Sequence, residues 1–223
     1  MLKPFLYAVL SVILFCTSSL AEFPNLGGFV KGVTTSNVSI SELLSTKAKV
    51  LSTYISSMQE LSVALDKTAT AFGIKNAVAA KLADIKALTP KNISDALLEK
   101  ARQSSQSALA AIQNKMQASP TLSSGSVNLL AGGLKSISSA MQKIETLIPQ
   151  ARSLVTGAGK ALISASGQDK TKIQDVLSIG SIISKSLPLD LKTVGTVASV
   201  LSRYATAQDI TLPQGFSGLT NLQ

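Results

Sequence analysis

The chain has 223 residues, with 21 Lys and Arg against 12 Asp and Glu, for a net charge of +9. It contains one Cys, no His and no Trp. Ser-His-Asp and Cys-His nucleophile pairs are therefore excluded, and zinc and haem sites lose their usual ligands.

The first 21 residues read as a secretory signal. Lys3 supplies the positive start, FLYAVLSVILF (5–15) is the apolar stretch, and Ser19-Leu20-Ala21 offers small residues for cleavage after Ala21. The apolar run is shorter than the ~20 residues that span a bilayer. Bulky Phe15 before Cys16 argues against lipid attachment at that cysteine. Cleavage removes Lys3 and Cys16, leaving 20 basic and 12 acidic side chains, a net charge of +8 and a chain that cannot form disulfides. The expected location is the bacterial periplasm or the extracellular space, where a cysteine-free chain of this size needs no cross-links for its core.

After an irregular leader (22–37), Ser39-Ile40-Ser41-Glu42 is a capping box that opens a helix. Ile40, Leu44, Lys47, Leu51, Tyr54, Met58, Leu61 and Leu65 follow at alternating spacings of four and three, a heptad seam with Lys47 as its polar exception. Gly73 interrupts the run; Ile74, Val78, Leu82, Ile85 and Leu88 resume it until Pro90. A second helix is expected from near Asn92, with the small-residue seam Leu98, Ala101, Ser105, Ala108, Ile112 and Met116, closed by Pro120. The sequons at Asn37 and Asn92 are read as structural, helix-start residues rather than glycan acceptors.

The third run has the cleanest pattern. Val127, Leu130, Leu134, Ile137, Met141, Ile144, Ile148, Ala151, Val155, Ala158, Leu162 and Ala165 hold the spacing without a polar residue. Pro149 lies inside it, yet the seam keeps phase, so one kinked helix about 60 Å long is expected. Two shorter helices are expected next, about 170–187 and 190–208, folding back at Leu187-Pro188-Leu189. Each is amphipathic: Gln174, Ser178, Ser181 and Lys185 stripe the first, and Lys192, Thr196, Ser199, Arg203 and Thr206 the second. An irregular tail (209–223) ends the chain. The fold expected is all-α: an elongated bundle of about 4–5 long, coiled-coil-like helices in one domain, 38–208.

No motif marks a catalytic, cofactor-binding or metal site. Thr156-Gly157-Ala158-Gly159-Lys160 lacks both the earlier Gly and the following Ser or Thr of a phosphate loop, with Leu154 and Ala161 in those places. Its glycines instead suit the close approach of another helix. No Lys has Ser three residues before it, so a Ser-x-x-Lys dyad is absent; Thr46-x-x-Lys49 is the nearest match and reads as surface. The acids Glu60, Asp66, Asp84, Glu99, Glu145 and Asp175 are scattered on polar faces and read as surface ion pairs. The basic residues come singly and the mature aromatics are few, so nucleic acid is not an expected partner.

The function expected is non-enzymatic, without cofactor: an exported bundle that binds, assembles or scaffolds. Its partner would be another protein, or a second copy engaged through the helical seams. Two alternatives rest on the same residues. One is a membrane-active, pore-forming protein that inserts the 173–204 hairpin, helped by attraction to anionic membrane surfaces; the amphipathic arms and Lys185, Asp190 and Lys192 at the turn favour a core hairpin over that reading. The other is a periplasmic, chaperone-like holder of unfolded clients.

Overall fold

Ser39 opens helix α1 (Ile40–Ala71): its Oγ accepts from the Glu42 amide at 3.2 Å, as the capping sequence requires. The computed structural model describes residues 39–118 and 121–212. The signal segment, leader, Asn37, Pro120 and the tail from Pro213 onward lie outside them.

Helix α1 ends where the chain turns through Gly73, whose φ of +69° a side chain would strain. Short helical pieces follow: α2 (Lys75–Ala79), a 3-10 turn (Ala80–Leu82) and α3 (Ala83–Lys86). Val78, Leu82, Ile85 and Leu88 are buried along them, so the expected apolar spacing holds, although no continuous helix does. Asn92 closes the next turn, accepting from Thr89 N and donating to Ala87 O, both at 2.8 Å. Helix α4 (Asp95–Ala118) therefore starts slightly later than expected, with Ser94 Oγ accepting from Leu97 N.

Two helices of 41 residues complete the fold, α5 (Ser124–Ser164) and α6 (Gly167–Ala207), each about 60 Å long. Helix α5 runs through Pro149, as its unbroken seam implies. Leu147 and Leu154 are buried with the central seam residues, while Ile148 and Val155 are only half-buried.

Helix α6 corrects the sequence reading. Residues 177–204 form no hairpin, and the two helices expected at 170–187 and 190–208 are one. Pro188 removes a single donor and points its ring to solvent. On the other side Ile183, Leu187, Asp190, Val194, Val197 and Leu201 continue at spacings of four and three, all buried. Burying an aliphatic side chain contributes about 1.5–3 kcal/mol, so this continuous face outweighs the ~3 kcal/mol that a helical proline costs.

The long helices pack as an all-α bundle with an apolar core. Helix α5 lies antiparallel along α1: Gly157 approaches Leu43, Lys143 bonds Ser56, and Gly133 meets Ala64 and Thr68. The glycine of the false phosphate loop thus does admit a neighbouring helix, though Gly159 faces open space. Helix α6 folds back along α5, with Gly180 against Leu154 and Val155. It runs parallel to α1, as Lys47 paired with Asp175 and Phe72 stacked edge-on against Tyr204 both show. Lys47, the polar exception in the first seam, is thereby explained: it reaches across to α6. The seam itself enters the core at Leu43 and leaves Leu44 exposed.

Candidate functional site

Three helices bring polar groups into the core at one point. Tyr54 occupies a seam position of α1 and is fully buried. Its hydroxyl donates to Asp190 Oδ2 at 2.6 Å, and Ser186, one turn earlier on α6, lies beside it. Asp190 is 1% exposed. Its second oxygen, Oδ1, accepts from Arg102 Nη1 of α4 at 3.2 Å.

Arg102 then connects the interior to the surface. Its Nε and Nη2 both donate to one oxygen of Glu99, Oε2, at 3.1 and 2.8 Å. The other Glu99 oxygen accepts from Gln103 at 3.0 Å. Glu99 is half exposed, whereas the Arg102 side chain is only 10% exposed.

Burial sets the electrostatics. It pushes the Tyr54 hydroxyl far above its ordinary pKa, with the nearby Asp190 charge adding to the effect. It also raises Asp190, against the opposing pull of the Tyr54 donor and the Arg102 charge. Burial would draw Arg102 down, but Glu99 and Asp190 together hold it above its usual value. Glu99 is held below the usual carboxylate range by the Arg102 hydrogen bonds, with Gln103 assisting.

An open cleft of about 280 Å³ lies beside this chain of groups, between α4 and α6. Glu99, Arg102 and Gln106 line one side and Leu189, Lys192 and Thr196 the other, with Leu109 and Val197 adding apolar wall. Leu189 is 51% exposed. Lys192 takes part in none of the ion pairs among the described residues. The cleft therefore offers a masked guanidinium, a second cation and an apolar lip.

The acids singled out in the sequence are divided differently. Glu99 joins this cluster. Asp84 pairs with Lys100 and accepts from Ser104, which keeps its carboxyl below the usual range. Glu60 reaches Lys143 of α5, and Asp175 reaches Lys47 of α1. Most of these pairs join different elements rather than neighbouring turns of one helix.

The sequence reading placed Tyr54 in the first seam and Asp190 at a turn, and gave Arg102 no role. The signal for Asp190 is present, however. Ile183, Leu187, Asp190, Val194 and Val197 keep the 4-3 spacing, so a single helix puts its carboxylate in the seam. The chain matches no family model, no curated protein and no solved structure.

Proposed function

We propose that this chain is an exported, non-enzymatic helical bundle that works by binding, and that the α4–α6 cleft is its contact surface. The observation that carries this reading is the position of Arg102. A buried carboxylate fixes the guanidinium on one edge, and only a half-exposed glutamate covers the other. That arrangement supports a receptor for an anionic group, since a planar guanidinium recognises carboxylates through paired donors.

The helical seams favour the cleft over self-association. Leu51, Met58, Leu61, Leu134, Ile137 and Ile144 are each at most 4% exposed inside one chain, so they offer a second copy little surface. The segment that the pore-forming alternative would insert, 173–204, lies within one helix whose apolar side packs in the core. No helix among the described residues is long and apolar enough to cross a membrane. Export with cleavage after Ala21 belongs to the same proposal, and it expects a mature mass that begins at Glu22 and carries no lipid.

The test is capture of partners from the native host by the mature protein, alongside Thr196→Trp, which fills the cleft from an exposed position. A partner retained by wild type and lost by the variant supports the reading. Partners held equally by both place binding elsewhere.

A further inference from the structure

The geometry points to the α4–α6 cleft as a receptor for a small amphipathic carboxylate, with Glu99 occupying the ligand's place until the ligand arrives. This rests on the binding reading above and gives it a ligand class.

The way Glu99 holds Arg102 is the first argument. A carboxylate that recognises guanidinium well takes two parallel N–H bonds, one on each oxygen. Glu99 does not. Both Arg102 donors converge on Oε2, while Oε1 turns to Gln103. Sharing a helix three residues apart, the two side chains meet in a compromise geometry. An external carboxylate free of that tether can give each donor its own oxygen.

Displacing Glu99 costs little. Its side chain is 54% exposed and can move into water, while the incoming carboxylate takes over its hydrogen bonds to Arg102. Arg102, by contrast, stays where it is. Asp190 holds Nη1, and Tyr54 holds Asp190 within the core. A receptor whose recognition group is fixed before the ligand binds loses less freedom on binding.

The rest of the cleft defines the ligand's other end. Lys192 adds a second positive charge without an ion-pair partner among the described residues. Half-exposed Leu189, with Leu109 and Val197 buried behind it, forms an apolar lip that an aliphatic segment would cover. The volume of about 280 Å³ stands at the small end of ligand sites. A dianionic phosphate suits the cleft less well: with Glu99 displaced, Arg102 and Lys192 against Asp190 leave one surplus positive charge, which a monoanion matches.

Octanoate is the probe. Titrated into the full mature chain below its micelle concentration, it is expected to give saturable NMR shifts at the amides of Leu189, Lys192 and Thr196. Octanol and octyl phosphate are expected to give none of comparable strength. Glu99→Gln, on an exposed helix face, removes the competing charge and should tighten octanoate binding by up to about fivefold. Lys192→Ala should weaken it.

The inference fails if octanoate gives no saturable shift at the cleft in either wild type or Glu99→Gln. It fails equally if the variant binds octanoate no tighter than wild type, or if octyl phosphate binds better. A host partner that Thr196→Trp still abolishes in those cases would leave the broader binding reading standing without this ligand class.

Discussion

Tyr54 and Asp190 lie 136 residues apart in the chain and share a 2.6 Å hydrogen bond in the core. The bond ties α1 to α6 at the level where Arg102 enters from α4, so three helices are registered by one carboxylate. A buried polar group in such a network is costly to leave unpaired.

Tyr54→Phe should expose that cost as a function of pH. Burial raises the Asp190 carboxyl and the Tyr54 donor pulls it down, so deleting the donor raises it further. A carboxyl raised in the folded state contributes stability that is complete below its unfolded pKa of about 4 and is lost as pH rises through the folded value. The penalty for Tyr54→Phe is therefore expected to be smallest near pH 4 and to grow toward neutrality, reaching about 1–3 kcal/mol. Urea unfolding across that range checks it. A penalty that is flat or shrinks with rising pH contradicts the assignment.

Pro188→Ala separates one helix from two. Within a continuous helix, alanine restores the missing donor to the Ser184 carbonyl and improves propensity at an exposed site, so stability should rise by about 1–3 kcal/mol with unchanged helix content. A loss of stability would indicate a turn that needs the proline.

Two adjacent glycines make a paired test of the α1–α5 contact. A Cβ at Gly133 would lie 2.9 Å from Thr68 Oγ1 and 3.1 Å from the Ala64 carbonyl oxygen. Thr68 has little room to yield, since its hydroxyl already donates to that carbonyl at 2.8 Å. A Cβ at Gly132 would meet only the Lys67 side chain, at 3.5 Å. Gly132→Ala should therefore stabilise by up to about 1 kcal/mol through helix propensity. Gly133→Ala should destabilise, because overpacking costs about 1–3 kcal/mol. Thermal melts of the two variants should move in opposite directions.

Ile137→Asp and Ile144→Asp place a carboxylate at fully buried positions of α5. Each should cost several kcal/mol or prevent folding. A wild-type melting curve for either would mean that the seam faces solvent.

Much of this architecture was legible in the sequence, and the misreading has a specific cause. Phase across a proline is the informative quantity. It kept α5 whole through Pro149, and the same criterion applies to Pro188. The polar stripe of Ser178, Ser181 and Lys185 passes through Pro188 itself to Lys192, Thr196, Ser199 and Arg203 at spacings of three and four. Read as a single stripe, it requires one helix. The buried cluster was harder to see. Asp190 follows from the repaired seam, but Arg102 lies beside Ala101 in a seam of small residues, and only the packing of α4 on α6 shows which side it turns to. Nothing local in the sequence distinguishes Glu99 from the other surface acids.

The pairing of α1 with α5 sets an order on assembly. A chain made from its N-terminus presents the apolar face of α1, including Val50, Leu51, Met58 and Leu61, long before α5 exists to cover it. Non-local pairing of this kind slows folding and leaves early segments open to aggregation. A nascent or truncated chain ending near Ala118 should therefore be adhesive and easily cut by proteases, and should become resistant only once the residues of α5 have emerged. The first half of the protein would spend its earliest moments as a substrate for whatever escorts unfolded chains.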